Sequence, residues 1–188
     1  MKNQKRIALV DLDGVLCDYN KGMIKSLEKM HGPNDPPLDS YTTWHDTPDY
    51  LYQRMEFIKS NGEWWENLPR FELGFDVMAI LIEMDYYISI LTQGPKRHPE
   101  AWSHKLRWCY KNVPDLDVTI TRNKSLVYGK VLVDDYPEYI DAWLAHRPRG
   151  LVVMPANSMN ADYTHPNMIR YDGTNLDEVR KRITEATP

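Results

Sequence analysis

The sequence has few cysteines, no long apolar run and no excess of basic residues, and each shortage excludes a class of protein. Only Cys17 and Cys109 occur among 188 residues, which excludes a disulfide framework. Neither they nor the six histidines show the spacing of a zinc site. No stretch reaches the roughly 18 apolar residues of a membrane helix. The formal net charge of -4 argues against binding to a nucleic-acid polymer.

The N-terminus and the composition predict a cytoplasmic globular protein. The opening MKNQKR is too short and too polar for a signal peptide. Hydrophobic residues make up 42% and charged residues 27% of the chain, as in proteins that bury a core. The length fits one domain, or one domain with an insertion. The oligomeric state stays open, with a homodimer as one alternative.

Five short apolar runs alternate with helical patterns. We interpret the runs as buried strands over residues 7–10, 87–91, 118–120, 131–133 and 151–154. Helical patterns, with apolar residues three and four positions apart, cover residues 74–84, 99–110 and 136–146. This alternation predicts an α/β fold with a doubly wound parallel sheet. Beyond Met154 we expect a loop with Asn157 and then a polar tail.

One segment, residues 18–71, interrupts this alternation. It has no convincing strand, but it has helical patches and the proline-rich stretch GPNDPP. It also concentrates aromatic residues: Tyr41, Trp44, Tyr50, Tyr52, Phe57, Trp64 and Trp65. We predict that residues 18–71 form a helical cap inserted after the first strand, and that residues 1–17 and 72–188 form the core.

Polar residues follow four of the predicted strands. They are Asp11 and Asp13, then Thr92-Gln93-Gly94, then the TRNK loop that ends at Lys124, and finally Asp134-Asp135. Ligands bind beyond the carboxyl ends of parallel strands, so these groups are predicted to meet at one edge of the sheet. Four carboxylates at close range need a cation, and aspartate oxygens with room for water suit Mg²⁺.

A lysine and a threonine beside the acidic groups indicate a phosphate site. Lys124 supplies a fixed positive charge, and Thr92 supplies a hydroxyl next to the backbone amides around Gly94. Together with Mg²⁺ they suit an anion with several equivalent oxygens, such as a phosphoryl group. Lys130, just before the fourth strand, is an alternative to Lys124, but its position in the TRNK loop favours Lys124.

The strand ending in DLDGV, the strand ending in threonine, the later lysine and the strand ending in two aspartates resemble the haloacid dehalogenase superfamily of phosphatases and phosphotransferases. The resemblance implies that Asp11 is the nucleophile and Asp13 the general acid and base. It also implies that Thr92 and Lys124 hold the phosphoryl oxygens. The implied Mg²⁺ ligands come from both acidic motifs: Asp11, Asp13, Asp134 and Asp135.

The chemistry of carboxylates supports these roles independently. A carboxylate such as Asp11 is a competent nucleophile toward phosphorus and needs no proton removed. Asp13, two residues on, can protonate the leaving oxygen and later take a proton from water. Its backbone carbonyl can join Asp11 at the metal. Of the acidic pair, one residue ligates the metal and the other orients Lys124 or a water; Asp135 is favoured as the direct ligand.

A narrower resemblance links the chain to the 5′(3′)-deoxyribonucleotidases. The segment TRNKSLVYGKVLVDD is similar to the T-R-D-K-[TS] run of that family and its following strand. Three further features of the family have counterparts here. Its DMDGVLAD-like start resembles the segment from Asp11 to Asp18. Its lysine and tryptophan three apart resemble Lys105 and Trp108, and its aromatic pair before a proline resembles Trp64-Trp65 before Pro69. Where the family has T-S-P, this chain has TQGP, so its phosphate loop is longer or differently shaped.

The sequence therefore predicts a Mg²⁺-dependent hydrolase of nucleotide metabolism, acting on (deoxy)ribonucleoside monophosphates through an aspartyl-phosphate. Substrate-binding positions are expected at Gln93, Gly94, Trp64, Trp65 and Lys96. The tryptophans either stack on the base or pack the cap, and Lys96 either steers a second anionic group or is a surface charge. Two alternatives remain: a phosphatase for sugar phosphates or other small phosphomonoesters, and a non-catalytic phospho-accepting or nucleotide-binding module.

Overall fold

The computed structural model describes residues 6–38 and 47–186. Tyr41 and Trp44, two of the aromatic residues of the predicted cap, lie outside these ranges. Within the described residues no helix is long and apolar enough to cross a membrane.

A single six-stranded sheet organises the described chain. Its strands are β1 (Ile7–Val10), β2 (Tyr87–Gln93), β3 (Asp117–Thr121), β4 (Val131–Val133), β5 (Leu151–Pro155) and β6 (Met168–Tyr171). Their order is β3-β2-β1-β4-β5-β6, and every neighbouring pair is parallel. The chain thus winds outward from β1 in both directions, which confirms the predicted doubly wound α/β fold.

Seven α-helices follow β1 in the described residues. They are α1 (Tyr19–Glu28), α2 (Asp49–Ser60), α3 (Gly62–Glu66), α4 (Glu72–Glu83), α5 (Glu100–Asn112), α6 (Pro137–Ala145) and α7 (Leu176–Glu185). Both faces of the sheet are buried, as the continuous apolar strands require. On β1, Ala8 and Val10 join one hydrophobic cluster, whereas Leu9 joins a second cluster around Trp143.

The C-terminal region differs from the prediction of a polar tail. It adds β6 to the edge of the sheet beside β5 and then the helix α7. In α7 the apolar residues Val179 and Ile183 are fully buried, and all three positions between them are charged. The helix α7 has only a narrow apolar stripe among charged residues, and the strand before it has four residues, one of which is Arg170. The periodic pattern of this region was therefore too weak to predict the strand and the helix. At the other edge, β3 is only partly buried rather than a buried strand.

Between β1 and α4 lie the helices α1, α2 and α3. Met23 and Leu27 of α1 and Leu51, Met55 and Ile58 of α2 form a hydrophobic cluster of their own. The short helix α3 packs instead on α5, and Trp65 joins the main core. The described residues of segment 18–71 contain no strand beyond an isolated bridge between Cys17 and Arg70. The division into cap and core at residues 17/18 and 71/72 remains a prediction.

Candidate active site

The carboxyl ends of four adjacent strands bring the polar motifs together. Asp11 follows β1, Thr92 lies near the end of β2, Lys124 begins a short 3₁₀ turn after β3, and Asp134 follows β4. The backbone N–H of Asp11 donates to the Val133 carbonyl at 2.9 Å, which extends the pairing of β1 with β4. A cavity of about 420 Å³ opens at this edge, lined by Asp11, Asp13, Thr92, Asp135 and neighbouring side chains.

Lys124 links two of the aspartates below the cavity. Its Nζ lies 2.7 Å from Asp11 Oδ2 and 2.8 Å from Asp134 Oδ2, and all three side chains are almost fully buried. The other oxygen of Asp134 accepts the backbone N–H of Tyr136 at 3.1 Å. Both carboxylate oxygens of Asp134 are therefore occupied in holding Lys124 and the start of α6. Lys130 precedes β4 and so lies at the opposite end of that strand.

Asp11 carries an oxygen without a partner. Its side chain is buried, and Oδ1 has no hydrogen-bond partner within the described part of the chain. Burial raises the pKa of Asp11 to about 6; Lys124 opposes this rise, and the nearby Asp134 and Asp13 add to it. An unpartnered buried carboxylate oxygen is costly unless a cation or a substrate atom meets it.

Asp135 completes a cluster of carboxylates. One ligand oxygen from each of Asp11, Asp134 and Asp135 lies within 4.8 Å of the others. Burial, followed by the charges of Asp134 and Asp11, raises the pKa of Asp135 well above its usual range. Asn157 Nδ2 donates to Asp135 Oδ2 at 2.8 Å, and Asn160 Nδ2 donates to the Asp135 backbone carbonyl at 3.0 Å. These amides fix the position of Asp135 without neutralising it.

Gly14 allows the two acidic motifs to approach each other. Its φ of +73° lies in the left-handed region, where side chains are strained. A Cβ at this position would lie 2.2 Å from Asp135 Oδ2. The cluster thus combines close carboxylates with an oxygen that has no partner among the described residues, and Gly14 places no side chain of its own against Asp135. This donor set fits a hard divalent cation such as Mg²⁺.

Lys105 is a site residue to which the motifs assigned no role. It projects from α5, its side chain is buried, and its ammonium group is hydrogen-bonded to Asp13. The same Nζ donates to the Gln93 carbonyl at 2.8 Å and to Thr92 Oγ1 at 3.3 Å. The other oxygen of Asp13 accepts from the thiol of Cys17 at 3.4 Å. The sequence feature that could have indicated this role is the position of Lys105 on the apolar face of α5, beside Ala101 and Cys109.

The predicted substrate-binding residues occupy different positions. Gln93 and Trp65 line the cavity. Trp64 does not: its indole N–H donates to Ser26 Oγ at 3.1 Å, and its ring packs edge-on against Trp65. Gly94 is buried beside Trp102 and is not part of the lining. Lys96 is exposed, outside the lining.

Comparison with known sequences identifies a family. The model of the family described as 5′ nucleotidase, deoxy (pyrimidine), cytosolic type C protein matches residues 5–178. A protein of Bordetella pertussis, provisionally named a 5′(3′)-deoxyribonucleotidase, is 25% identical over 166 residues, which cover 84% of this chain and 87% of that protein. Its counterpart in Bordetella bronchiseptica is 24% identical over 165 residues, with the same coverage of both chains.

Solved structures show the same fold at low sequence identity. A provisionally assigned haloacid dehalogenase-like hydrolase from Burkholderia xenovorans superposes with a TM-score of 0.55 at 14% identity, over 98% of this chain and 99% of that one. A HAD family hydrolase from Deinococcus radiodurans, crystallised with phosphate and sodium, gives a TM-score of 0.53 at 15% identity, over 98% of both chains. These likenesses establish the architecture of the sheet and its helices.

Proposed function

Because the chain belongs to the deoxy (pyrimidine), cytosolic type C family of 5′-nucleotidases, it is a phosphomonoester hydrolase, and we propose that it hydrolyses (deoxy)ribonucleoside monophosphates with Mg²⁺ bound. The observation that carries the proposal is the pair formed by Asp11 and Lys124. One oxygen of this buried carboxylate is held by the lysine, while the other has no partner among residues 6–38 and 47–186, and the side chain lines an open cavity.

Asp11 is the proposed nucleophile. Its unpartnered oxygen forms a bond to phosphorus while the bond between phosphorus and the ester oxygen breaks, which leaves an aspartyl-phosphate and the nucleoside. With a pKa of about 6, Asp11 is mostly ionised at neutral pH and needs no base. Lys124 fixes the orientation of the carboxylate through its 2.7 Å contact, and Thr92 presents a hydroxyl toward the transferred group.

Asp13 is the proposed general acid and base. It gives a proton to the ester oxygen that leaves, and it then takes a proton from the water that attacks the aspartyl-phosphate and releases inorganic phosphate. Such proton transfers contribute about 10²- to 10⁴-fold in rate. Lys105 and Cys17 hold the two carboxylate oxygens of Asp13 and so position it over the cavity.

Asp11, the backbone carbonyl of Asp13 and Asp135 would hold Mg²⁺. Asp134 is less suited to direct ligation, because Lys124 and the Tyr136 N–H already occupy its oxygens. When bound, the ion neutralises charge on the phosphoryl oxygens and on the carboxylates. Asn157 and Asn160 would keep Asp135 in place for it.

Trp65 is the proposed wall for the nucleobase. It lines the cavity, and stacking of a base on an aromatic ring contributes about 1–3 kcal/mol without strong selection among bases. Trp64 packs against Ser26 and Tyr19 instead, which supports a structural role for this residue.

A substrate panel tests the proposal. The purified chain with Mg²⁺ should release phosphate from deoxyribonucleoside monophosphates faster than from sugar phosphates, and the Asp11→Asn variant should release none while still binding nucleotide. Faster turnover of sugar phosphates would favour the alternative phosphatase. A stable phosphoprotein without turnover would favour a non-catalytic phospho-accepting module.

A further inference from the structure

Two cationic side chains line the cavity and have no part in the chemistry proposed above. Lys59 comes from the last turn of α2, and Arg122 comes from the loop that follows β3. Both contribute to the cavity that contains Asp11 and Asp13. Lys59 therefore reaches the cavity from the helices that follow β1, and Arg122 reaches it from the sheet.

Lys59 belongs to a cluster with an excess of positive charge. It forms an ion pair with Glu56, and the same carboxylate lies 3.1 Å from His98 Nε2 and 3.8 Å from Arg97 Nη1. Although burial raises the pKa of Glu56, the hydrogen bonds from Lys59 and His98 lower it below its ordinary value overall. The single carboxylate of Glu56 thus lies against Lys59, Arg97 and His98, so this cluster carries one more permanent positive charge than negative charge.

Arg122 is held in place by the backbone. Its Nη1 donates to the Gly94 carbonyl at 2.6 Å. Within residues 6–38 and 47–186 Arg122 forms no ion pair, so no carboxylate neutralises its charge directly. A guanidinium group has five N–H donors in a fixed plane, and those not used by Gly94 remain available for an anion.

We propose that Lys59 and Arg122 form a second anion subsite, which binds a second phosphate of the substrate while the first lies at Asp11. This inference rests on the proposed nucleotidase function and extends its substrates to nucleoside 3′,5′-bisphosphates, which it predicts to be preferred over the monophosphates. Arginine and lysine are the side chains that pair with phosphate oxygens. The cavity of about 420 Å³ falls within the size range of about 300–1,000 Å³ for pockets that enclose small ligands.

The test compares kcat/KM for thymidine 5′-monophosphate and thymidine 3′,5′-bisphosphate in the wild type and three variants. Arg122→Gln and Lys59→Gln each remove one subsite cation, and Lys25→Gln, an exposed lysine on α1, is the control of equal charge change. The wild type should prefer the bisphosphate. Each subsite variant should lose about tenfold on the bisphosphate, as expected for one charged hydrogen bond, with little change on the monophosphate.

Several results would overturn the inference. Equal losses of kcat/KM on both substrates would mean that Lys59 and Arg122 bind the reacting phosphate. A wild type that does not prefer the bisphosphate over the monophosphate would show that there is no second subsite. Preference for a 5′-phosphorylated dinucleotide over the bisphosphate would assign the subsite to the end of an oligonucleotide.

A binding measurement separates this inference from the proposed function. Failure to hydrolyse any nucleotide would refute the proposed function. In that case, calorimetric titration of the Asp11→Asn variant with the same two nucleotides still tests the subsite. Tighter binding of the bisphosphate, lost in the Asp11→Asn/Arg122→Gln double variant, would support it, and equal affinities would refute it.

Discussion

We expect the buried charge of Asp11 to destabilise the metal-free fold, so its removal should stabilise the protein. Asp11 is buried, one of its oxygens has no partner in the part of the chain that the structure describes, and burial raises its pKa from 3.8 to about 6. Asparagine has nearly the same shape and carries no charge. We therefore expect the Asp11→Asn variant, although inactive, to be more stable than the wild type when no divalent cation is bound.

The magnitude and its pH dependence follow from the raised pKa. Between about pH 4 and pH 6 the folded state binds a proton at Asp11 more tightly than the unfolded state does, so the free energy of unfolding falls as the pH rises through this window. A pKa raised from 3.8 to about 6 corresponds to about 3 kcal/mol. The Asp11→Asn variant has no carboxyl group at this position, so its free energy of unfolding does not fall in this way. It should match the wild type at about pH 4 and exceed it by about 3 kcal/mol at about pH 8.

Urea denaturation in EDTA at several pH values measures this difference. For a chain of this size, about 3 kcal/mol corresponds to roughly 6–12 °C in Tm. Asp115→Asn, which changes an exposed carboxyl, is the control and should show no comparable gain. Addition of Mg²⁺ should stabilise the wild type more than the variant, because ligand binding to the folded state raises its stability. A variant less stable than the wild type at about pH 8 in EDTA would refute the electrostatic account of the site.

Three further substitutions test the groups around Asp11. Gly14→Ala should lower the free energy of unfolding by about 1–3 kcal/mol and weaken Mg²⁺ binding, because the added Cβ would meet Asp135. Urea denaturation measures the first effect and calorimetry the second, and unchanged values would contradict the close approach of Gly14 to Asp135. Asn157→Ala should weaken Mg²⁺ binding by about 10- to 100-fold in a calorimetric titration, and an unchanged affinity would mean that Asp135 needs no support. Lys105→Met should lower kcat by about 10²- to 10⁴-fold with the circular dichroism spectrum retained, and normal turnover would exclude it as the residue that positions Asp13.

The central strands and the groups at their ends could be predicted from sequence because two simple signals coincide. The strands β1 and β4 are uninterrupted apolar runs, each ended by an aspartate, and their observed bounds are those predicted. Once the sheet is parallel, the residues after each strand must lie at one edge. The meeting of Asp11 with Lys124 and Asp134 follows from that topology.

Features that depend on helix orientation could not be predicted in this way. Lys105 lies 13 residues after Thr92 on another element, and only the packing of α5 against the sheet turns its side chain toward Asp13. Trp64 and Trp65 are adjacent on a helix, where successive side chains point about 100° apart. One ring therefore faces the cavity and the other faces α1, a choice that the sequence left open.

The location of the phosphoryl group during turnover distinguishes Asp11 from any other nucleophile. The chain is mixed with a deoxyribonucleoside monophosphate and Mg²⁺, quenched rapidly in acid, digested and analysed by mass spectrometry. If Asp11 is the nucleophile, the peptide containing Asp11 gains the mass of a phosphoryl group, and this gain disappears in EDTA and in the Asp11→Asn variant. Phosphate release by that variant, or a phosphoryl group found on another residue, would contradict this role of Asp11.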